Sequence, residues 1–160
     1  MRKKIIAGIT CAMLMGAMAL PVSAEETPIT ATVGSSYELT IPASTNIVYN
    51  ATTTPLNGIV TVEGNVLPNQ IVTVSATPGN LHNSEQNTNL PYTLVTSNTT
   101  QQFSSDIWNE TQLRDRLNGG DGKTVSLSVN ITEDNWKSAE AGTYTGNITF
   151  TSELSSVTGQ

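Results

Sequence analysis

The sequence predicts an all-β fold, an antiparallel β-sandwich of about seven to nine strands with one short helix near 109–118. Three observations carry that expectation. Valine, isoleucine, leucine and tyrosine recur at every second position in short runs. Gly, Pro and Asn interrupt those runs at intervals of roughly ten residues, as turns between short strands do. A strong helix start occurs at one place, where a capping residue and its flanking apolar pair coincide.

Ahead of the strands lies an export signal over residues 1–24. Arg2, Lys3 and Lys4 precede an uncharged apolar run from Ile5 to Leu20, which Pro21 breaks. Val22, Ser23 and Ala24 then supply the small residues that signal peptidase accepts before Glu25, completing the three-part layout of a secretory leader. An uncleaved anchor fits less well, because the run is near the lower limit for spanning a bilayer and a cleavage site follows it. Cys11 sits in mid-run after Gly8, Ile9 and Thr10 and leaves with the leader. The expected location is secreted or extracellular, with at most loose association to a cell wall. Residues 25–160 are read as a single domain, with 25–35 as a flexible lead-in or edge strand.

Cleavage at that point removes the only cysteine, so a packed core must supply the stability. It also removes three of the seven cations, leaving four against thirteen carboxylates and a net charge of −9. Nucleic acid and anionic membranes need clustered Lys and Arg, so the expectation is no nucleic-acid partner and no membrane after cleavage.

The strands follow in order. Ile29, Ala31 and Val33 alternate with threonine as a candidate edge. Tyr37, Leu39 and Ile41 alternate with Ser36, Glu38 and Thr40 until Pro42. Ile47–Tyr49 is a candidate short strand before a Thr-rich turn from Asn50 to Pro55. Val60 and Val62 continue the pattern, and Gly64 and Asn65 open a turn. Val72, Val74 and Ala76 alternate with Ile71, Thr73 and Ser75, both faces partly apolar, the pattern of a central strand covered on both sides or of one whose outer face meets a partner. Residues 80–90 are polar enough to be a loop tip or a mobile segment, after which Tyr92, Leu94 and Thr96 resume the alternation.

The helix is expected from about Glu110 to Leu117. Asn109 as N-cap with Gln112 three residues on forms a capping box, Trp108 and Leu113 occupy the hydrophobic-staple positions, and Asn118, Gly119 and Gly120 stop it. Val125, Leu127, Val129 and Ile131 then read as one continuous amphipathic strand. A closing strand starts at Ala141 and carries Tyr144, Ile148 and Phe150.

That closing stretch, Glu140 to Phe150 with Trp136 upstream, resembles the last strand of small secreted and surface β-sandwich proteins of Gram-positive bacteria. The segment Leu39–Ser44 and the glycine turn before the valine strand resemble theirs as well. The resemblance implies an Ig-like or pilin-like sandwich. It further implies a structural corner at Gly142 and Tyr144, the tyrosine hydroxyl tying the corner to nearby backbone. A likeness of this kind speaks to fold and not to activity.

No catalytic constellation stands out. His82 is the only histidine and sits among polar residues, with Glu85 alone nearby. Glu133 with Asp134, or Asp106 with Glu110, would supply paired carboxylates, but adjacent acids in turns are ordinarily solvated. Asp115, Asn118 and Asp121 gather oxygen ligands in a glycine-rich turn, yet helix termination explains those glycines and the spacing is not that of a calcium loop. No cofactor and no metal are expected. Aromatic faces suit pyranose rings, which makes Trp108, Trp136, Tyr49 and Tyr92 the candidates for a sugar-stacking platform; Trp108 is read as core, and Trp136 and Tyr92 are the candidate ligand-binding residues.

The function expected from these features is a non-enzymatic structural or interaction module, secreted or associated with the cell surface, of adhesion or surface-assembly type. Its partners would be other surface proteins, itself through edge strands, or glycans. The alternative is a carbohydrate-binding module that uses exposed aromatics.

Overall fold

The computed structural model describes residues 29–97, 99 and 101–157. The leader expected over 1–24, and residues 25–28 of the lead-in, lie outside the described residues. The chain divides between Thr32 and Val33 into two compact units, and the second carries every element described below.

Eleven strands and two helices follow one another among the described residues. They are β1 Ser36–Thr40, β2 Thr53–Pro55, β3 Val60–Asn65, β4 Gln70–Pro78, β5 Leu81–Asn83, β6 Thr88–Leu90, β7 Thr93–Thr96, β8 Ser105–Asn109, α1 Glu110–Leu117, β9 Thr124–Val125, β10 Leu127–Asn130, α2 Glu133–Ser138 and β11 Ile148–Ser156. All pairings are antiparallel, in small sheets ordered β1-β3-β9, β2-β10-β7 and β11-β4-β8, with β5-β6 as a separate hairpin. The β-rich, antiparallel expectation therefore holds.

The valine strands behave as their alternation predicts. Val72, Val74 and Ala76 of β4 are buried, and β4 is the central strand of its sheet, but Ile71, Thr73 and Ser75 on its other face are only half-buried, so cover is full on one side alone. Helix α1 spans the expected residues: the Asn109 side chain accepts from the Gln112 amide at 3.0 Å, and Gln112 Oε1 accepts from the Asn109 amide at 3.0 Å. The staple positions meet in the core, where Trp108 and Leu113 are fully buried. A first apolar cluster thus joins Val60, Val62, Val72, Val74, Trp108 and Leu113. A second, smaller one centres on Leu90, Val129 and Ile131, with Ile47, Leu81, Trp136 and Tyr144 packed around it.

Several elements differ from expectation, each for a local reason. Residues 29–35 form no strand, and the candidate strand at Ile47–Tyr49 is likewise irregular. Part of the Thr-rich stretch after it is a strand instead, because β2 pairs with β10. Gly64 lies inside β3 rather than in a turn. It faces Tyr37 across the ladder so closely that a Cβ there would stand 2.8 Å from the Tyr37 Cβ, which is why glycine occupies a strand position.

Residues 80–90 fold as the β5–β6 hairpin instead of a loose tip. Asn83, fully buried, accepts from the amides of Glu85 at 3.0 Å and Gln86 at 3.3 Å, so a polar side chain organises the turn. The strand expected through 124–131 is broken at Ser126: β9 pairs with β3, whereas β10 pairs with β2 and β7. Its apolar residues consequently serve both clusters, Val125 and Leu127 the first, Val129 and Ile131 the second. A second helix, α2, joins the single one expected: it carries Trp136, and its N-cap Thr132 accepts from the Asn135 amide at 3.2 Å. The closing strand begins at Ile148 and not at Ala141, and it runs beside β4 over nine residues.

Candidate binding cleft

Two stretches that belong to no strand, residues 41–49 and residues 139–147, flank the second cluster. The first is hooked to the chain ahead of β3, where Ala43 donates to the Asn57 carbonyl at 2.8 Å and Thr45 Oγ1 accepts from the Asn57 amide at 2.9 Å. It ends in a turn in which Ala51 donates to the Val48 carbonyl at 3.0 Å and Asn50 adopts a φ of 63°. Asparagine tolerates that left-handed conformation, and the turn leaves Tyr49 72% exposed.

The second stretch is held by its own tyrosine. Tyr144 Oη accepts from the Glu140 amide at 3.0 Å and donates to the Glu140 carbonyl at 3.1 Å, while its ring packs on the second cluster. Thr145 exchanges both backbone bonds with His82 of β5, at 2.8 and 3.0 Å. Gly142 has a φ of 148°, and a Cβ there would run into the Asn83 amide. The corner residues singled out in the sequence, Gly142 and Tyr144, therefore lie together against the β5–β6 hairpin.

Between the two stretches opens a cleft of about 810 Å³. Ile47, Leu81 and Leu90 give it an apolar lining, Trp136 and Tyr49 an aromatic wall, and Thr45, Asn46, Thr143 and Thr145 a polar rim. The two rings meet edge to face, with centroids 5.5 Å apart and planes at 77°. Trp136 is fixed by its indole nitrogen, which donates to the Ala51 carbonyl at 2.9 Å, and Asn135 Nδ2 ties the same helix to the Pro91 carbonyl at 2.9 Å. Glu140 is the one carboxylate in the lining.

Tyr92 lies elsewhere. It lines an adjoining cleft of about 230 Å³ with Leu56, Val129 and Phe150, and the two clefts share Thr45, Ile47, Leu81 and Gly146. Burial pushes the Tyr92 phenol above its ordinary 10.0, against a smaller opposing effect from a backbone hydrogen bond at Gly79. Of the candidate aromatics, Trp136 and Tyr49 share one cleft, whereas Tyr92 sits on its neighbour.

The remaining candidates are engaged locally. Trp108 is fully buried, its Nε1 donating to the Lys123 carbonyl at 2.9 Å and its ring lying 5.1 Å from the Lys123 ammonium. Asp106 bonds Lys123 at 2.6 Å, Glu110 bonds Arg114 at 2.8 Å, and exposed Asp134 lies 3.1 Å from Lys137. The Asp115 carboxylate accepts from the Gly122 amide at 2.9 Å, closing the turn after α1. His82 belongs to β5, where Nδ1 lies 3.0 Å from Asn89 Oδ1. Among the described residues no group of three or more His, Cys, Asp or Glu side chains is placed to hold a metal, and no helix is long and apolar enough to cross a membrane.

Sequence reasoning missed Ile47, Leu81 and Leu90 as parts of one surface. Leu81 and Leu90 bracket a polar stretch whose Asn83 and Asn87 are turn formers, a signal of a hairpin that the stretch's polarity obscured. In comparisons with known proteins, no protein-family model matches the chain and no curated protein shows significant similarity to it. The resemblance to surface sandwich proteins accordingly rests on the motif residues themselves.

Proposed function

We propose that the protein is a non-enzymatic interaction module, secreted or held at the cell surface, whose small antiparallel sheets form an Ig-like sandwich and whose binding face is the cleft between residues 41–49 and 139–147. The observation that carries this reading is the make-up of the cleft: an apolar lining, an aromatic wall and a polar rim with a single carboxylate. Acid–base hydrolysis would call for two carboxyl groups flanking a bond. Recognition needs the shape and donors that the cleft offers. The leader read over residues 1–24 supports the extracytoplasmic setting.

A carbohydrate ligand is the second reading, and the Tyr49–Trp136 wall favours it. An exposed tyrosine ring in T-shaped contact with a fixed indole supplies the aromatic surface on which a sugar packs, and Asn46 and the threonines of the same lining supply donors and acceptors for its hydroxyls.

Tyr49→Ala is the clean test, since a ring 72% exposed contributes little to the core. The native protein should be retained by a panel of cell-surface glycans and surface proteins, and the variant should lose about tenfold in affinity at unchanged thermal midpoint. Retention on glycans selects the second reading, retention on proteins alone the first. Equal binding by the variant and the native protein would remove the cleft from the account.

A further inference from the structure

The two outer edges of the β11-β4-β8 sheet are finished in opposite ways. On β8, the bond from the Ala76 amide to the Ser104 carbonyl at 2.9 Å sets the ladder's phase, so Ser105, Ile107 and Asn109 turn their backbone groups outward. That edge is capped by side chains. The Ile107 amide donates to Asp106 Oδ1 at 2.8 Å, Lys123 Nζ donates to the Ile107 carbonyl at 2.8 Å, and Gln112 Oε1 accepts from the Asn109 amide at 3.0 Å.

On β11, the bonds from Gly79 to the Asn147 carbonyl at 2.9 Å and from Val157 to the Asn69 carbonyl at 2.7 Å bracket the ladder. Hydrogen-bonded pairs therefore fall on its odd-numbered residues. Ile148, Phe150, Ser152, Leu154 and Ser156 point their amides and carbonyls away from β4, and among the described residues none of these groups has a hydrogen-bond partner. The same strand lacks the devices that guard an edge: over nine residues it has no Lys, no Pro and one charge, Glu153. β1 also has one unpaired side, but it is five residues long and ends two residues before Pro42.

We propose that β11 is a homotypic assembly edge: a second copy of this chain adds its own β11 antiparallel to the first, about a two-fold axis at Ser152, making one six-stranded sheet of two three-stranded ones. The sequence of β11 is complementary to itself in that register. Pairing centred on Ser152 uses all nine residues and sets Phe150 opposite Leu154 on the half-buried face. On the exposed face Glu153 lies opposite Thr151, whereas a shift of one residue along each strand would set Glu153 against Glu153. The outward groups of all five even-numbered residues then gain partners. This proposal rests on the reading of the protein as an interaction module, names one of its partners, and does not use the cleft.

Sedimentation equilibrium of the purified protein tests it with charge variants at exposed positions. The native protein should form a concentration-dependent dimer with a micromolar dissociation constant, in keeping with the low end of interface sizes. Thr151→Glu places two Glu–Glu pairs across the axis and should weaken the dimer by roughly tenfold or more. Adding Glu153→Lys to Thr151→Glu reverses both pairs to opposite charge and should restore it, with the thermal midpoint of the monomer unchanged throughout. A native protein monomeric up to about 1 mM, or a dimer indifferent to Thr151→Glu, overturns the proposal. A dimer lost on Val33→Asp but kept in Thr151→Glu also overturns it, and assigns the contact to the exposed lead-in. A monomer that still binds ligand through the cleft sinks the β11 pairing and leaves the proposed function standing.

Discussion

Trp136 donates from its indole nitrogen to the carbonyl oxygen of Ala51 at 2.9 Å, linking α2 to the turn that carries Tyr49. The bond fixes the angle of the aromatic wall, so the position has both a packing and a pointing role. Trp136→Phe should keep most of the ring contact, lose about 1 kcal/mol in urea unfolding, and weaken ligand binding by freeing the Tyr49 turn. Binding and stability both equal to the native values would show that the bond positions nothing.

The corner at residues 140–144 makes a paired prediction. Tyr144→Phe removes the hydroxyl that bonds both backbone groups of Glu140 and should cost about 1–2 kcal/mol. Gly142→Ala meets both a φ of 148° and the buried Asn83 amide, and should cost about 2–3 kcal/mol. Chemical denaturation measures both, and a Gly142→Ala protein as stable as the native one would contradict the close approach to Asn83.

Helix α1 separates capping from burial. Asn109→Ala leaves the Gln112 amide without its side-chain acceptor and should lower stability by about 1 kcal/mol. Leu113→Ala empties a fully buried site in the first cluster and should lower it by about 3 kcal/mol. Thermal unfolding of the two variants should rank them in that order.

Alkaline stability reports on the smaller cleft. The folded pKa of Tyr92 lies above its unfolded value of 10.0, so its contribution is full below that pH and is lost as pH rises through the raised value. Tyr92→Phe should flatten this part of the decline in denaturation midpoint above about pH 10. An alkaline limb unchanged by the substitution would show that Tyr92 does not supply it.

Much of the architecture was legible where side-chain pattern and backbone partner agree. The alternation in 71–76 suited a central strand, and Asn109 with Gln112, Trp108 and Leu113 marked the place and the N-cap of α1. Pattern failed where pairing changed without a change of side chains. Val125 to Ile131 alternates without interruption, yet Ser126 divides it between two sheets, because period two records which face is apolar and not which strand lies alongside. The β5–β6 hairpin was hidden for another reason: its turn is stabilised by a buried asparagine, and polarity alone reads as exposure. Of the candidate site, Trp136 and the Tyr144 corner were visible, whereas Ile47, Leu81 and Leu90 became neighbours only through tertiary packing.

The central claim is that ligands enter the cleft beside Trp136, and the protein's two tryptophans allow it to be read directly. In a ¹H–¹⁵N correlation spectrum titrated with a glycan or surface protein that the molecule retains, the indole N–H resonance of Trp136 should move on saturation while that of buried Trp108 stays in place. Saturable binding with the Trp136 resonance unmoved would contradict the account.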